Sequence, residues 1–161
     1  MKLSRTVQAT QEHIDFLIGK LRDTDDKECW AAIRKTADQN LQLGFDRSSL
    51  CWAILKGEEP IGCFGVAPTS LLSNKGVPWL LATPELEKIS YNFLRQSKEH
   101  VHRMLHMFDR LENWVDVDNE IATKWLRWCG FNMEDPKVYG FGKKMFRRFW
   151  LDREGLCADQ Q

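Results

Sequence analysis

The stretch that decides the fold is residues 118–131, which read D-N-E-I-A-T-K-W-L-R-W-C-G-F. Asn119 is a suitable helix cap. Apolar or small residues then recur at helical spacing: Ile121, Ala122, Trp125, Leu126 and Cys129. Gly130 can end the helix, because glycine adopts the left-handed conformation without a Cβ clash. Residues 111–117 alternate like a half-buried strand, so we predict strand, short helix, glycine and strand.

This unit resembles the last third of the GCN5-related N-acetyltransferase (GNAT) fold. In that family an Asn opens the fourth helix, an Ala follows three residues later, and Gly-Phe closes it after eleven. Asn119, Ala122, Gly130 and Phe131 match this spacing. The resemblance implies an α/β fold with a mixed central sheet flanked by helices. It also implies a V-shaped cleft between two splayed strands, where coenzyme A enters.

One position departs from the enzymes of this family. Active members usually carry a Tyr seven residues after the Asn, where it can protonate the departing coenzyme A thiolate. Here that position is Leu126, which cannot donate a proton. Trp125 and Trp128 are nearby, but an indole N–H is not a titratable acid. The resemblance therefore predicts the fold, but it does not predict efficient acetyl transfer.

Composition limits the class of protein. With 161 residues, the chain is predicted to form one GNAT-like domain over residues 1–151, followed by a polar, frayed tail over residues 152–161. Lys plus Arg and Asp plus Glu balance at 23 each, so no charge excess indicates nucleic acid as a main partner. No apolar run approaches the roughly 20 residues of a membrane span. The five scattered cysteines are interpreted as reduced thiols of a protein in the bacterial cytoplasm.

The order of elements predicted along the chain also follows the GNAT pattern. We expect a strand over residues 2–9, a helix over 10–21 and a second helix from Asp23 to Gly44. Three strands should follow, over residues 50–55, 61–66 and 77–82. A long helix from Pro84 to about Phe108, the unit described above, and a final hairpin through Tyr139 to Phe149 complete the chain. The second helix carries Trp30, Ile33, Ala37 and Leu41 at helical spacing. The long helix is expected to face the core with Leu86, Ile89, Phe93, Val101, Met104, Leu105 and Phe108.

The start of the long helix is the expected phosphate site. In GNAT enzymes it begins with a glycine-rich loop of pattern Q/R-x-x-G-x-G/A, whose N–H groups bind the coenzyme A pyrophosphate. Residues 80–88 contain no glycine, and Pro84 has no N–H to offer. Glu85 and Glu87 would place negative charge beside phosphates. A structural helix start, with Thr83 as its cap, is therefore favoured over a conventional coenzyme A site.

Two further patterns carry weaker functional hypotheses. His102 and His106 are four residues apart and could share a metal, but no third ligand is evident, so no metal site is predicted. In residues 142–150, basic pairs alternate with apolar pairs, a pattern that suits single-stranded nucleic acid. A strand with basic exposed positions is the favoured interpretation, because the chain as a whole is neutral.

A general base would have to be a carboxylate. The candidates are Glu58, Glu59, Asp116 and Asp118. Asp116 and Asp118 follow the strand beside which a GNAT substrate amine would sit. Helix caps and solvated carboxylates are the commoner explanation for such residues.

A narrower resemblance covers residues 77–135. Trp79, the long basic and apolar helix, residues 108–115, Asn119 and Gly130 together resemble the GNAT-like internal virion proteins of short-tailed bacteriophages, which also occur in prophages. In that subgroup the fold is associated with virion assembly. The resemblance implies a phage or prophage protein with a degenerate acyl-CoA site, present in the bacterial cytoplasm or the virion, with phage structural proteins as partners.

The alternative hypothesis is an active N-acetyltransferase that binds acetyl-CoA through a divergent pyrophosphate loop. In that case Ala82 and Thr83 would border the thioester, Asn119 would line the pantetheine channel, and Asp116 would act as catalytic base. The cleft is expected to be partly filled or lined by bulky residues: Trp79, Trp125 and Trp128. A nucleic-acid-binding module that uses Lys143 to Arg148 is a third hypothesis.

Overall fold

The computed structural model describes residues 4–154, with the exception of the side chains of residues 89–92 and 94. In chain order the elements are β1 (Ser4–Gln8), α1 (Gln11–Leu17), α2 (Asp23–Ile33), α3 (Ala37–Arg47), β2 (Leu50–Lys56), β3 (Glu59–Pro68), β4 (Lys75–Ala82), α4 (Leu86–Met107), β5 (Arg110–Asp116), α5 (Glu120–Trp128), β6 (Asn132–Met133), β7 (Lys137–Tyr139) and β8 (Lys144–Asp152). The order follows the prediction except in the N-terminal helices.

Three helices replace the two predicted between β1 and β2. The first ends at Leu17, earlier than predicted, and Gly19 has a left-handed φ of 83°. The second predicted helix is interrupted at Thr36, whose side chain accepts a hydrogen bond from the Gln39 N–H while the Gln39 side chain accepts one from the Thr36 N–H. This reciprocal capping box begins a new helix, so α2 and α3 are separate elements.

Gly44 lies inside α3, although the sequence predicts that it ends the helical region. A Cβ at this position would lie 2.7 Å from the indole of Trp79. Glycine is therefore needed here for the close approach of α3 to β4, and not for a left-handed turn.

The sheet is antiparallel except at one strand pair. Its order is β1-β2-β3-β4-β5-β8-β6, and β7 also pairs with β8. The parallel pairing between β4 and β5 covers only Lys75 with Arg110 and Gly76 with Leu111. Beyond these residues the two strands no longer pair, which confirms the splayed strands that the resemblance implies.

Hydrophobic cores lie on both faces of the sheet, because successive side chains of a strand point to opposite faces. In β2, Trp52 and Ile54 belong to the core under α4 and α5, whereas Ala53 and Leu55 belong to the core under α1 and α3. The predicted inward residues of α4 are confirmed as buried: Leu86, Phe93, Val101, Met104, Leu105 and Phe108. Ile89 lies outside the described side chains. No helix in the described part of the chain is long and apolar enough to cross a membrane.

Helix α5, which follows Asn119, has the predicted cap and end. The Asn119 side chain accepts a hydrogen bond from the Ala122 N–H at 3.2 Å, and Gly130 has a φ of 94°. Ile121 departs from the prediction, because 57% of it is exposed. At 3.6 residues per turn it lies about 90° from the centre of the buried face of α5.

The C-terminal strands extend further than predicted. The expected hairpin is formed by β7 and β8, in which Val138 pairs with Met145. Asp152 is the last residue of β8, and the Arg153 N–H donates to the Asp109 carbonyl at 2.9 Å. These two residues therefore belong to the folded structure and not to the predicted tail. Residues 155–161 of that tail lie outside the described residues.

His100 connects α4 to the N-terminal strand. Its Nε2 forms a 3.0 Å hydrogen bond with the Thr6 hydroxyl, and its ring centroid lies 4.6 Å from that of Trp52. Its Nδ1 is buried without a hydrogen-bond partner in the described structure. Burial lowers the pKa of His100, and the nearby Arg103 lowers it further while Glu99 opposes.

Because the pKa of His100 is lowered on folding, the unfolded chain binds a proton more readily than the folded chain does. We therefore expect the free energy of unfolding to fall as the pH drops below the ordinary histidine value of 6.5. Urea unfolding between about pH 5 and about pH 8 measures this, and His100→Gln should flatten the dependence in that window. The same slope in both proteins would contradict this assignment.

Candidate functional site

A cavity of about 860 Å³ lies where β4 and β5 diverge. Its walls include Asn40 and Leu43 of α3 on one face of the sheet, and Val101 and Met104 of α4 on the other. The cavity therefore passes through the gap between the two strands. Its Phe, Tyr and Trp wall residues are Phe64, Trp79, Trp114, Trp125, Phe131, Tyr139, Phe146 and Phe149.

Two of the three tryptophans expected at the cleft lie in its wall. The Trp79 indole N–H donates to the Ser48 hydroxyl at 2.7 Å, and the Trp125 indole N–H donates to the Ser97 hydroxyl at 3.0 Å. The prediction is wrong for Trp128, which is 51% exposed and lies beneath the Lys98 ammonium. Trp128 sits about 110° around α5 from the centre of its buried face.

The turn between β4 and α4 is closed by its own hydrogen bonds. The Ala82 N–H donates to the Asp25 carboxylate at 3.0 Å, and the Thr83 N–H donates to the Ile61 carbonyl at 2.9 Å. The Glu85 N–H donates to the Thr83 hydroxyl at 3.3 Å. These three donors point at protein acceptors and not into the cavity.

The next three N–H groups are also occupied. Those of Leu86, Glu87 and Lys88 donate to the carbonyls of the residues three positions earlier, at 3.1, 3.3 and 3.2 Å. Pro84 has no N–H. Every backbone donor from Ala82 to Lys88 therefore has an internal acceptor. The sequence predicts Thr83 as the helix cap, but α4 begins at Leu86 and Thr83 closes the turn before it.

Charge at this turn also disfavours a phosphate. The Glu85 carboxylate accepts hydrogen bonds from Lys88 at 3.0 Å and from Lys56 at 3.1 Å. These bonds lower the pKa of Glu85, so its carboxylate stays ionised at the start of α4. A helix N-terminus favours anions, and here the protein supplies that anion itself.

A buried ion pair holds the end of β4 against α2. Two nitrogens of the Arg22 guanidinium contact the Asp25 carboxylate, at 2.8 and 3.1 Å, and the Arg22 N–H donates to the Ala82 carbonyl at 2.9 Å. Burial raises the pKa of Asp25, while Arg22 and the Ala82 N–H lower it. The residue is 3% exposed, so its charge is balanced almost entirely by these contacts.

Glu28 is the carboxylate in the cavity wall that the sequence did not reveal. It accepts hydrogen bonds from the Asp116 N–H at 2.9 Å and from the Asn119 side-chain amide at 3.0 Å. Burial raises the pKa of Glu28, and these two hydrogen bonds oppose that effect. Within residues 4–154, no ion pair joins Glu28 to a cation. Its position three residues after Asp25 places both on one face of α2, but the sequence does not show that this face is buried.

The predicted base, Asp116, lies outside the cavity wall. It ends β5, and its side chain accepts a hydrogen bond from the Asp118 N–H at 2.9 Å, which closes the turn before Asn119. It is not among the cavity-lining residues. Glu58 forms an exposed ion pair with Arg5 in the β2–β3 turn, and Glu59 is exposed.

The residues predicted to bind acetyl-CoA separate into two groups. Asn119 lines the cavity. Ala82 and Thr83 are buried behind the closed turn and do not line it. The structure thus joins Asn119 to Glu28 and not to Ala82 or Thr83.

The position of the family tyrosine carries no acid, because Leu126 there is 5% exposed and lies in the cavity wall. The wall contains one tyrosine elsewhere, Tyr139, and burial raises the pKa of its phenol. Burial also raises the pKa of the Cys29 thiol in the wall to about 11, so it remains protonated at neutral pH. Among the described residues, no group of three His, Cys, Asp or Glu side chains is placed to hold a metal ion.

Solved structures with a similar fold include acetyltransferases. Spermidine N-acetyltransferase from Vibrio cholerae in complex with CoA and spermine aligns with a TM-score of 0.66 at 14% identity, over 96% of this chain and 98% of that one. A dodecameric spermidine N-acetyltransferase from the same organism aligns at 0.67 and 11% identity, over 98% of both chains. A putative acetyltransferase aligns at 0.68 and 15% identity, over 98% of this chain and 87% of that one.

The fold is that of the GCN5-related N-acetyltransferases. Identities this low establish the fold alone, because one fold can carry many functions. No protein-family profile matches the sequence, and a comparison with curated proteins gave no match.

Loss of the Arg22–Asp25 ion pair should lower the free energy of unfolding. Asp25→Ala should lower the free energy of unfolding by about 3–5 kcal/mol, because it leaves the guanidinium without its buried partner and the Ala82 N–H without its acceptor. Asp23→Ala, on the exposed start of the same helix, is the matched control and should change it by less than about 1 kcal/mol. Equal losses in the two variants, measured by urea unfolding, would show that the pair does not hold the end of β4.

Proposed function

We propose that this chain is a phage or prophage protein that uses the GNAT fold in virion assembly and lacks efficient acetyl-CoA chemistry. The loss of acetyl-CoA chemistry rests on one observation, which is that every backbone N–H from Ala82 to Lys88 has an internal acceptor. The assembly role is supported by the resemblance of residues 77–135 to internal virion proteins. The bacterial cytoplasm and the virion are the proposed locations.

The energetics of the closed turn support this proposal. A pyrophosphate bound at the start of α4 would have to take N–H groups that already make hydrogen bonds, and each bond broken offsets the one gained. It would also lie beside the ionised Glu85 carboxylate. Leu126 removes the acid that the family carries at this position, a contribution typically worth about 10²–10⁴-fold in rate.

Acetyl-CoA should therefore bind no more tightly than about 1 mM, a binding free energy of about −4 kcal/mol. Isothermal titration calorimetry measures this, with the spermidine N-acetyltransferase of Vibrio cholerae as the positive control. Hydrogen exchange of the amides in residues 82–88 should not change when acetyl-CoA is added. Micromolar binding with protection of these amides would overturn the proposal of a degenerate site.

The assembly role requires a separate measurement. Particles produced by a strain that carries the gene should contain the chain after density-gradient purification, at a fixed ratio to the capsid protein by quantitative mass spectrometry. Cross-linking within those particles should join it to other phage structural proteins. Recovery of the chain only in the cell lysate would refute the assembly role, whatever the result of the acetyl-CoA titration.

The second candidate is an N-acetyltransferase with a divergent mode of acetyl-CoA binding. It is favoured by Glu28, a carboxylate with a raised pKa in the wall of a cavity of about 860 Å³. In that candidate Glu28, and not Asp116, would take the proton from the attacking amine. The same titration decides between the two candidates, because this one requires acetyl-CoA to bind.

A further inference from the structure

The charged side chains in the wall of the cavity are not all paired with one another. Three carboxylates and three guanidiniums line it: Asp25, Glu28, Glu112, Arg22, Arg47 and Arg148. Asp25 pairs with Arg22, and Glu112 pairs with Arg148. Within the described residues, neither Glu28 nor Arg47 forms an ion pair. The wall therefore keeps one carboxylate and one guanidinium whose charges no side chain neutralises.

The unpaired carboxylate lies at the end of β5. Glu28 accepts hydrogen bonds from the Asp116 N–H at 2.9 Å and from the Asn119 side-chain amide at 3.0 Å. A carboxylate can accept about four hydrogen bonds, so Glu28 can accept more. An ammonium group beside it would supply both further donors and the missing positive charge, and would favour the ionised carboxylate.

The unpaired guanidinium lies beside β4. Arg47 ends α3, and the hydroxyl of the next residue, Ser48, accepts a hydrogen bond from the Trp79 indole N–H at 2.7 Å. Arg47 is exposed, and its side chain makes no hydrogen bond within residues 4–154. A free guanidinium can bind a carboxylate through two parallel N–H groups. This end of the cavity therefore suits a carboxylate.

The backbone of β4 alternates between bonding to β3 and facing the gap. The Lys75 carbonyl accepts the Thr69 N–H, and the Thr83 N–H donates to the Ile61 carbonyl. In an antiparallel ladder the N–H and C=O of one residue point to the same side, and this side alternates along the strand. The odd-numbered residues of β4 thus bond to β3, and the even-numbered residues face the gap.

One even-numbered residue in the gap has an open backbone. Pro78 has no N–H, and its carbonyl accepts a side-chain amide of β5 at 2.8 Å. The N–H and carbonyl of Ala82 are held by the two residues of the buried ion pair. Leu80 lines the cavity, and its N–H and carbonyl have no partner in the part of the chain that the structure describes. One amide group of a ligand could pair with both.

The open backbone lies between the two unpaired charges. Counting from the last paired residues of β4 and β5, Trp79 beside Arg47 is the third and Leu80 is the fourth. Asp116, whose N–H donates to Glu28, is the fifth. Each residue adds about 3.3 Å, so the two charged groups attach about 7 Å apart along the strands. They attach to opposite sides of the gap.

A ligand that complements these groups carries an ammonium, one amide and a carboxylate, in that order. A single amino acid has no amide and carries both charges on one carbon. A dipeptide has one amide between its two charges. Its side chains would contact the aromatic wall, which includes Trp79 and Trp114. The cavity volume of about 860 Å³ lies in the usual range of small-molecule sites, about 300–1,000 Å³.

We propose that the cavity binds a dipeptide in its zwitterionic form. The ammonium contacts Glu28, the amide pairs with the Leu80 backbone, and the carboxylate contacts Arg47. Binding forms and breaks no covalent bond. The proposal concerns the cavity alone, so it is independent of the virion role and of acetyl-CoA binding.

Isothermal titration calorimetry of the full chain with leucyl-leucine tests the proposal. Two capped forms are matched probes, because N-acetyl-leucyl-leucine lacks the ammonium and leucyl-leucinamide lacks the carboxylate. We expect each capped form to bind at least about tenfold more weakly than leucyl-leucine, since each loses one charge-assisted contact. Free leucine, which lacks the amide, should also bind at least about tenfold more weakly.

Variants assign each end of the ligand to its residue. Glu28→Gln should weaken leucyl-leucine at least about tenfold and remove the preference for it over the N-acetyl form, while the preference over the amide form remains. Arg47→Met should remove the preference over the amide form and keep the other. A general loss of structure would not remove one preference and leave the other.

Matched controls carry the same substitutions outside the cavity. Glu120→Gln and Arg127→Met change two exposed residues of α5 that do not line the cavity. Both controls should bind every probe like the parent. Thermal unfolding of each variant checks that it is folded.

Three results would overturn the proposal. The first is no measurable binding of leucyl-leucine to the parent, or equal binding of its capped and uncapped forms. The second is parent-like affinity and preference in folded Glu28→Gln or Arg47→Met. The third is binding of butylamine as tight as that of leucyl-leucine, which would show that the cavity recognises an ammonium alone.

Discussion

The buried Asp25 carboxylate is the contact on which the site depends. It pairs with Arg22 and accepts the Ala82 N–H, while the Arg22 backbone binds the Ala82 carbonyl. A buried charge with this many partners is stable only while all of them stay in place. The end of β4 is therefore fixed to α2, and the turn that leads into α4 is closed from behind. A phosphate site and this ion pair would compete for the same stretch of backbone.

The cavity and the closed turn have different physical origins. The cavity exists because β4 and β5 pair only at Lys75 and Gly76 and then diverge, which is a property of the fold. The Asn113 side chain donates to the Pro78 carbonyl at 2.8 Å across the gap, so the two strands remain tied where the ladder ends. The closed turn depends instead on particular side chains, Asp25 and Thr83. The cleft and the closed turn can therefore vary independently among chains of one fold.

Local signals account for most of the correct predictions, and the errors have both local and tertiary causes. Asn119 and Gly130 act within one turn of chain, so the last helix was predictable from sequence. The break at Thr36 was missed because apolar spacing continues across it, although Thr36 and Gln39 form a recognisable capping-box pair. The role of Glu28 could not be predicted, because a carboxylate is usually solvated and only the approach of β5 to α2 buries this one.

Helix α2 connects the closed β4–α4 turn to the β7–β8 hairpin. Asp25 and Glu28 lie on its inner side, where their hydrogen bonds reach β4 and β5. Trp30 and Ile33, one turn further along, are about half exposed beside the β7–β8 hairpin. Among the described residues, buried polar side-chain atoms have hydrogen-bond partners, with the exception of His100 Nδ1. Because α2 carries both Asp25 and Glu28, a displacement of this helix would act directly on the hydrogen bonds that hold the ends of β4 and β5.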